Sequence, residues 1–396
     1  MRVGQFTETL LPVVDGVGRV VSNYAQAMGQ MCETCYVIVP QQVNLYKGGL
    51  PYEIIDFGGM PLPISPQYNV GMPILDTHYL RRMAHVKLDI AHTHSPFISG
   101  HEALRISRKQ DIPLIGTLHS KYYDDFYQFT HSRTLAKVGN QFVIDYFSKC
   151  DQVWTVSHSS AELLRGYGFS GTIEVVENGT DRKEPDSQSA KAVEERFLLG
   201  HRPLLLYVGQ MNWKKNIRRI LEAVDALVRQ NRDVRLIMAG QGPNENEIRA
   251  LSTALGLDGV VLYAGHVTEA KMLDGLYTRA DLLVFPSIYD NAPMVVREAA
   301  GLRTPSLLAR GSSAAEVVQD GENGLLADDT TASMAERITW ALDNPERLQE
   351  IGMNAWITIP KPWKEVISEV LARYEDLVFT SQLTRRFKAR NRERSK

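Results

Sequence analysis

The chain has 396 residues and a mass of 44.5 kDa, which at about 100 to 200 residues per domain predicts two or three domains. Apolar residues make up 44% of the sequence and charged residues 23%, with a mean hydropathy of -0.22, and this composition excludes a fibrous or disordered protein. The 44 basic and 46 acidic residues give a net charge of -2, which argues against a nucleic-acid-binding protein.

No part of the sequence has the pattern of a targeting signal or a membrane span. The N-terminal segment MRVGQFTETLLP lacks the apolar run of a signal peptide, and no stretch reaches about 18 consecutive apolar residues. Three cysteines are too few for a disulfide framework, so we expect a cytoplasmic protein. Cys32 and Cys35 form a C-x-x-C pair, but a structural zinc ion needs four ligands and only Cys150 remains. We interpret all three as core or surface thiols rather than as a redox or metal site.

Short apolar runs alternate with segments of helical period, which predicts parallel sheets with connecting helices. The alternation occurs in two sets, separated by the polar, turn-rich stretch 183–200, which predicts a linker. Strands are predicted at 2–6, 36–40, 89–94, 113–119, 152–157 and 172–179 in the first set, and at 203–209, 234–240, 260–266, 281–287 and 304–310 in the second.

The fold class predicted by this rhythm is α/β, with two doubly wound Rossmann-like domains at 1–182 and 201–360. An amphipathic helix follows at about 361–380, and 381–396 is predicted to be a basic tail. Within that tail, Arg385–Lys396 carries seven basic residues and one acidic residue. The tail is a candidate for peripheral contact with the anionic inner face of a membrane.

Ligands of open parallel sheets bind at the carboxyl ends of the strands, so residues that follow strands are the first candidates for function. After the first strand, Gly16, Val17 and Gly18 open a helix whose N-terminus suits phosphate or sugar oxygens, although an ordinary glycine turn explains them equally well. The third position of a dinucleotide-binding G-x-G-x-x-G is Val21, so a Rossmann dinucleotide site is not supported.

The second domain has two candidate segments of the same kind. Gly209 and Gln210 follow its first strand and lead to Lys214 and Lys215, either of which suits a diphosphate. Downstream of the strand at 281–287, Pro293 is expected in the first turn of a helix, with Asp290 and Glu298 on either side of it.

In chain order, these segments resemble the retaining glycosyltransferases of family 4, which have the GT-B architecture. The spacing from Asp290 to Glu298 matches the E-x7-E motif of that family, and GQMNWKKN lies where the family has G-R-L-x-x-x-K-[GN]. The segments DGVGRVVSNYAQAM, VVENGTD, MAGQGP, EAAGLRTPSLL and DGENGLL extend the likeness over nearly the whole chain. The resemblance implies two domains facing across a cleft, with the C-terminal helix crossing back to the first domain.

The resemblance also implies roles for the donor-binding residues. Glu298 would bond the ribose, Asp290 the hydroxyls of the transferred sugar, and Lys215 would neutralise the diphosphate. Further contacts with the donor would come from Gly16, Val17, Gly18, Gly209, Gln210, Asn291, Ala292, Pro293 and Met294. No metal ion is implied, because cations and helix N-termini stabilise the charge that grows on the leaving diphosphate.

Two positions depart from the family pattern. Gln210 replaces the arginine of G-R-L, and Asp290 is one methylene shorter than the first glutamate of E-x7-E. The departures leave open a changed donor geometry, compensation by Lys214 or Arg297, or a loss of activity. We favour retained activity, because Lys215 and Glu298 are present.

In the first domain, HTHSPF (92–97) and GTLHSKYYDDFY (116–127) resemble the branch of the family that glycosylates diacylglycerol. By this resemblance His119 lies near the reacting centre with Asp290 and Lys215, where a neutral imidazole donates to a sugar hydroxyl or serves the acceptor. The acceptor-binding candidates are His94, Lys121, Tyr122 and Tyr123. His92 is assigned to orientation of the acceptor or to packing.

The expected function is a retaining, metal-independent transfer of a hexose, glucose from UDP, to an acceptor hydroxyl of a glycerolipid or saccharide. Two alternatives stay open on the sequence: a non-hydrolysing nucleotide-sugar epimerase, and a weakly active nucleotide-binding partner subunit. Release of the nucleotide only when an acceptor is present distinguishes the transferase from both alternatives.

Overall fold

The chain folds into two compact units, each built on its own parallel β-sheet. The computed structural model describes residues 1–10, 16–41, 48–62 and 65–394. The first unit contains Met1–Asn178 together with the segment from Trp363 onward, and the second contains Gly179–Pro362. The predicted α/β fold with two doubly wound sheets is confirmed.

The sheet of the first unit has seven parallel strands. Their bounds are β1 (Arg2–Phe6), β2 (Thr34–Pro40), β3 (Glu53–Phe57), β6 (Ile90–Thr93), β7 (Leu114–Leu118), β8 (Gln152–Thr155) and β9 (Ile173–Val175), and β4 (Gly59–Leu62) forms a separate antiparallel pair with β5 (Ser65–Gly71). The helices are α1 (Gly16–Met28), α2 (Thr77–His85), α3 (Ile98–Gln110), α4 (Tyr122–Thr130), α5 (Arg133–Phe147) and α6 (His158–Gly166). The order β3-β2-β1-β6-β7-β8-β9 reverses direction between β1 and β6.

The second unit has a six-stranded parallel sheet in the order β12-β11-β10-β13-β14-β15. Its strands are β10 (Leu204–Val208), β11 (Arg235–Ala239), β12 (Val261–Gly265), β13 (Leu282–Phe285), β14 (Ser306–Ala309) and β15 (Leu325–Ala327). Its helices are α7 (Ser187–Phe197), α8 (Ile217–Arg229), α9 (Glu245–Ala254), α10 (Ala270–Arg279), α11 (Met294–Gly301), α12 (Thr331–Asp343) and α13 (Pro345–Thr358). Central strands such as LLLYV are buried throughout, as expected where helices cover a parallel sheet.

The last helix, α14 (Trp363–Arg394), belongs to the first unit and packs on α1, which confirms the predicted return of the chain. The Trp363 and Tyr24 rings meet edge to face, with 5.6 Å between centroids. The helix continues past residue 380 into the predicted basic tail, because 381–394 contains neither glycine nor proline to end it.

The stretch predicted as a linker, 183–200, contains α7 and belongs to the second unit. The Asp186 carboxylate accepts from the backbone N–H groups of Gln188 and Ser189, which starts the helix. Val193 is fully buried in the core of the unit. A Cβ on Gly275 of α10 would lie 2.6 Å from the carbonyl oxygen of Ser189, so glycine allows the two helices to touch. The polar composition of 183–200 reflects the exposed face of α7.

Truncation of Val193 tests whether α7 is part of the fold. Val193→Ala is expected to lower the free energy of unfolding by about 1–3 kcal/mol, because it removes buried methyl groups. Lys191→Ala, on the same helix with 75% of its side chain exposed, is expected to change it by less than about 0.5 kcal/mol. Urea unfolding followed by circular dichroism measures both, and equal midpoints for the two variants would indicate a linker.

Candidate functional site

The predicted donor-binding residues of the second unit follow the two strands between which the strand order reverses. β10 and β13 are parallel neighbours, with Leu205 opposite Leu282. Their carboxyl ends therefore lie at the same edge of the sheet, and the loops 209–216 and 286–293 leave from that edge together. Lys215 and Asp290 are brought together in this way.

The loop after β10 is held against the loop after β11 by backbone contacts. The Met211 N–H donates to the carbonyl oxygen of Gln241 at 3.1 Å. A Cβ on Gly240 would lie 1.8 Å from the Gly209 carbonyl oxygen, and a Cβ on Gly242 would lie 2.6 Å from that of Met211. Only glycine fits at these two positions. They were not assigned a role from the sequence, although a G-x-G directly after a strand is the signal that identifies them.

Lys215 lies in a single 3-10 turn, Trp213–Lys215, between β10 and α8. The Asn212 side chain accepts from the backbone N–H of Lys214 and starts this turn. Asn216 ends it with a left-handed backbone, φ 60°, a conformation that glycine and asparagine adopt most readily. The turn directs the Lys215 ammonium to Asp290, with 2.5 Å between Nζ and Oδ1.

The Asp290 carboxylate is largely buried beside that ammonium: the side chains of Asp290 and Lys215 are 20% and 13% exposed. The Ser287 hydroxyl accepts from the backbone N–H groups of Tyr289 and Asp290, which shapes the loop. The second carboxylate oxygen, Oδ2, is buried and receives no hydrogen bond from any residue that the structure describes. A buried acceptor without a donor is unfavourable, so this oxygen is suited to bind a hydroxyl of a ligand.

Glu298 lies on α11, on the far side of the same loop. The helix begins at Met294, with Pro293 as its N-cap, one position before the predicted first turn. The Glu298 carboxylate accepts from the Tyr277 hydroxyl of α10 at 3.0 Å. This bond orients Glu298, and Tyr277 is a supporting residue that the sequence analysis did not identify.

The three residues linked to the motif departures have distinct environments. Gln210 is exposed, and its carbonyl oxygen accepts from the buried Tyr207 hydroxyl at 2.8 Å. The Lys214 ammonium lies over the Tyr289 ring, 4.8 Å from its centroid. Arg297 is buried and donates to the carbonyl oxygen of Ile359. Lys214 is therefore better placed than Arg297 to add a cation to the Lys215 loop.

In the first unit, His119 follows β7 and is joined to two buried side chains. His119 Nε2 lies 2.9 Å from His94 Nδ1, and His94 Nε2 lies 2.7 Å from Gln5 Oε1. His94 is only 2% exposed and uses both ring nitrogens inside the unit, so these contacts lend no support to its assignment as an acceptor-binding residue, which stays a prediction. His92 is fully buried, and its assignment to packing fits its position. Gln5 was missed, although a polar residue within the strand RVGQF is a recognisable signal.

Among the other predicted acceptor residues, Lys121 and Tyr123 are partly exposed. Tyr122 is 7% exposed and packs edge to face on Phe97, with 5.5 Å between ring centroids, and burial raises the pKa of its hydroxyl. The ring thus packs in the core of the first unit, and the contact of Tyr122 with the acceptor stays a prediction. Gly16, Val17 and Gly18 form the first turn of α1, and the loop before them lies outside the described residues.

Within the described ranges, no group of three His, Cys, Asp or Glu side chains is arranged to hold a metal ion. Cys32, Cys35 and Cys150 are free thiols. Burial raises the pKa of the Cys32 and Cys35 thiols, which suits inert packing rather than redox chemistry. No helix of the described residues combines the length and apolarity needed to cross a bilayer.

Two family models match consecutive parts of the chain. "Glycosyltransferase Family 4" matches residues 14–184, and "Glycosyl transferases group 1" matches residues 190–356. The first covers most of the first unit and the second most of the second unit. The two family models and the two doubly wound sheets together identify the chain as a glycosyltransferase of the GT-B architecture.

Curated relatives align over nearly the whole chain. The alpha-monoglucosyldiacylglycerol synthase of Acholeplasma laidlawii is 23% identical over 93% of this chain and 95% of its own length. The GDP-mannose-dependent alpha-mannosyltransferase of Corynebacterium glutamicum is 24% identical over 96% of this chain and 90% of its own.

Solved structures share the fold. Anabaena HepE in complex with UDP and glucose has a TM-score of 0.76 at 16% identity, covering 94% of this chain and 99% of HepE. Sucrose-phosphate synthase from Thermosynechococcus elongatus has a TM-score of 0.78 at 18% identity, covering 96% and 99%. The chain belongs to the family 4, group 1 glycosyltransferases, enzymes that take a sugar from a nucleotide-sugar donor.

The Lys215–Asp290 pair predicts a measurable coupling. Lys215→Met is expected to lower the free energy of unfolding by about 1–3 kcal/mol, because it leaves a largely buried carboxylate without its cation. In a chain that already carries Asp290→Asn, Lys215→Met is expected to lower the free energy of unfolding by less, since no uncompensated charge remains. Urea unfolding of the four chains of this cycle measures the coupling. An equal loss in both backgrounds would contradict it.

Proposed function

We propose that the enzyme transfers glucose from UDP-glucose to a hydroxyl group of a glycerolipid, with retention at the anomeric carbon and without a metal ion. The observation that carries the donor half is the pairing of Lys215 with Asp290, whose Oδ2 is buried and accepts nothing from the described residues. Both groups lie at one edge of the sheet of the second unit. The ammonium suits the diphosphate of such a donor, and the unsatisfied carboxylate oxygen suits a hydroxyl of its sugar ring.

Each donor-binding residue is proposed to contact a different part of the nucleotide sugar. Lys215 keeps one N–H on Asp290 Oδ1 and has two further donors for the diphosphate. Asp290 Oδ2 accepts from a sugar hydroxyl, and Glu298, oriented by Tyr277, accepts from the ribose. The loop before α11 and the first residue of that helix bring the backbone of 291–294 to the sugar and phosphate. As the glycosidic bond breaks, Lys215 and this helix N-terminus stabilise the charge on the leaving UDP.

Retention is proposed to follow from attack on the face that UDP leaves, with the leaving phosphate taking the proton of the acceptor hydroxyl. No protein nucleophile is assigned in this scheme. His119, the histidine proposed to be catalytic, contributes a neutral imidazole, because burial lowers its pKa to about 4.

The names of two similar proteins support the choice of donor and acceptor. The Acholeplasma relative is named a glucosyldiacylglycerol synthase, and HepE was solved with UDP and glucose. The Corynebacterium relative is named GDP-mannose-dependent, which makes GDP-mannose the competing donor.

An exposed apolar face directly after His119 supports a lipid acceptor. On α5, Leu135, Val138 and Phe142 share one face and are 55%, 64% and 46% exposed. Phe129 of the neighbouring α4 is 68% exposed. A Cβ on Gly139 would lie 2.6 Å from the Phe126 ring, so glycine lets α4 pack closely on α5. We name the four exposed side chains the α4–α5 face.

Basic residues beside this face suit an anionic surface. Arg133 and Lys137 are exposed on α5. An exposed apolar stripe flanked by cations is typical of helices that lie at a membrane interface. The basic segment from Arg385 is a second candidate for the same contact, and the two are separable by experiment.

Donor binding is tested by calorimetry with UDP-glucose and GDP-mannose in the presence of EDTA. UDP-glucose is expected to bind, and Lys215→Met and Glu298→Ala are each expected to weaken it by about 10- to 100-fold, the loss of one hydrogen bond to a charged group. Lys191→Met, a charge-matched control on α7, is expected to leave the affinity unchanged.

The reaction itself is tested by UDP release from UDP-glucose with and without diacylglycerol. Release that requires diacylglycerol supports the proposal. Release accompanied by an isomerised sugar without acceptor would indicate an epimerase, and binding without any turnover would indicate a partner subunit. Tight binding of GDP-mannose instead of UDP-glucose would overturn the donor assignment alone.

The α4–α5 face is tested by flotation with vesicles of anionic phospholipid that contain diacylglycerol. Leu135→Asp combined with Val138→Asp is expected to reduce binding by at least about 10-fold, because charges replace the apolar contact. Ile357→Asp, at a 53% exposed apolar position of the second unit, is the matched control. A chain ending at Thr384 measures how much of the vesicle binding depends on the basic segment from Arg385. Absence of binding by the full chain would remove the membrane contact.

A further inference from the structure

The side-chain amide of Asn216 joins three loops at the carboxyl edge of the sheet of the second unit. Asn216 directly follows Lys215, between the turn Trp213–Lys215 and α8. Its Nδ2 donates to the carbonyl oxygen of Pro286 at 3.3 Å and to Asp329 Oδ1 at 2.8 Å. Pro286 is the first residue after β13, and Asp329 lies in the loop after β15. Asn216 therefore connects its own loop, which follows β10, with the loops that follow β13 and β15.

The orientation of this amide is fixed by its two partners. A backbone carbonyl and an ionised carboxylate accept hydrogen bonds and have no hydrogen to donate. The group that faces Pro286 and Asp329 is therefore the NH2 end of the Asn216 amide, with one hydrogen for each partner. The reversed amide would place its oxygen beside two other acceptors, which is unfavourable.

The backbone of Asn216 leaves the side chain available for these two bonds. Asn216 is the N-cap of α8, where an asparagine usually accepts a hydrogen bond from a backbone N–H of the first turn. In that turn, which the structure describes completely, no N–H donates to the Asn216 side chain, and the residue has a left-handed backbone, φ 60° and ψ 31°. Its own N–H donates to the Trp213 carbonyl oxygen, and its carbonyl oxygen accepts from the Arg219 N–H. Since glycine would satisfy the same backbone, the asparagine side chain is explained by the loops and not by the helix.

Asp329 is held from its other side by α8. The Arg219 guanidinium lies 3.4 Å from the same oxygen, Asp329 Oδ1, and donates to the Thr331 hydroxyl at 3.1 Å. The Thr331 hydroxyl in turn donates to the Glu222 carboxylate at 2.6 Å. Because Thr331 begins α12 and the other two residues lie on α8, these bonds join the start of α12 to α8. Asp329 is therefore a well-fixed acceptor for Asn216.

Lys215 and Asn216 are adjacent, and both bond the loop after β13. Lys215 bonds Asp290, and Asn216 bonds Pro286 at the start of the same loop. A lysine ammonium is carried on a flexible four-carbon stem, so its position is defined only as well as the backbone below it. The bonds of Asn216 fix that backbone on one side of the pair and the first residue of the Asp290 loop on the other.

We propose that Asn216 is a positioning residue for the diphosphate site: through Pro286 and Asp329 it fixes the backbone from which Lys215 reaches Asp290, so that the ammonium is in place before a nucleotide binds. The part that concerns the nucleotide rests on the proposed function, which assigns the diphosphate to Lys215. A cation that is held in advance binds an anion with a smaller loss of conformational entropy. Asn216 acts through Lys215 and is not assigned a contact with the nucleotide.

The first test needs no nucleotide and measures the coupling between Lys215→Met and Asp290→Asn in urea unfolding. Asn216→Gly keeps the left-handed backbone and removes only the amide. In chains that carry it, the coupling is expected to fall by about half or more, since the ion pair must then order the two loops itself. An equal coupling with and without Asn216→Gly would overturn the proposal.

Asn231→Gly is the matched control for this substitution. Asn231 also has a left-handed backbone, φ 58°, and it is exposed just beyond the other end of α8. The same change is therefore made in the same backbone conformation, away from the three loops. Asn231→Gly is expected to leave the coupling and the affinity for UDP unchanged.

The second test is calorimetry with UDP in the presence of EDTA. Asn216→Gly is expected to weaken UDP binding by about 5- to 10-fold, the loss of about one hydrogen bond. In a chain that already carries Lys215→Met, the same change is expected to weaken binding by less than about 2-fold, because the effect passes through Lys215. A merely structural role would weaken binding equally in both chains, and that result, or an unchanged affinity of Asn216→Gly, would overturn the proposal.

Asp329 offers a rescue by a conservative variant. Asp329→Ala removes the acceptor for Asn216 and is expected to weaken UDP binding by about 3- to 10-fold. Asp329→Asn keeps an oxygen at the position of Oδ1 and is expected to retain the wild-type affinity. Both variants lose the same negative charge, so a difference between them reports the hydrogen bond. Equal affinities of the two variants would overturn the part assigned to Asp329.

The positioning role and the proposed function fail in different ways. If UDP does not bind and the coupling still depends on Asn216, the proposed donor fails and the positioning of Lys215 stands. If UDP binds through Lys215 and neither the coupling nor the affinity responds to Asn216→Gly, the donor stands and the positioning role is overturned. If Asn216→Gly does not fold, the two Asp329 variants carry the same test.

Discussion

The parallel pairing of β10 with β13 is the contact on which the charged edge of the second unit depends. Lys215 and Asp290 are 75 residues apart in the sequence, yet the strands before them lie side by side and release their loops at one edge. Gly240 and Gly242 extend the same edge by letting the next loop touch the first without a side chain between them. Since a largely buried charge is stable only beside its partner, the register of these strands and the ion pair support one another.

In the first unit, the buried polar groups are neutral rather than charged, and each must find a hydrogen-bond partner. Five of them form a network in which each side chain is bonded to the next and the last is bonded to His119: Thr117, His92, Tyr374, Gln5 and His94. Polar groups in such surroundings are tolerated only when they are satisfied, and a satisfied network has few alternative arrangements. Because Tyr374 of α14 lies at the middle of the network, the C-terminal helix contributes to the environment of His119.

Much of the fold was predictable, because buried parallel strands are short apolar runs that sequence periodicity detects. The position of Lys215 and Asp290 after neighbouring strands was predictable for the same reason. Two predicted acceptor residues are more deeply buried than the sequence suggested, and for a common reason. His94 and Tyr122 follow strands and carry polar groups, as ligand-binding residues do, but what packs over them is chosen by residues distant in sequence. The polar composition of α7 likewise concealed Val193, whose burial depends on the core of the second unit.

By itself, the sequence determined the alternation of strands and helices, the two doubly wound sheets and the order of motifs that identifies a family 4 glycosyltransferase, because these depend on local patterns along the chain. Only the tertiary structure decided that Lys215 bonds Asp290, that Tyr277 orients Glu298 and that Gln5 meets Met28, Tyr374 and His94. Each of these contacts joins residues far apart in sequence, and the direction of a hydrogen bond depends on which atoms face one another in space.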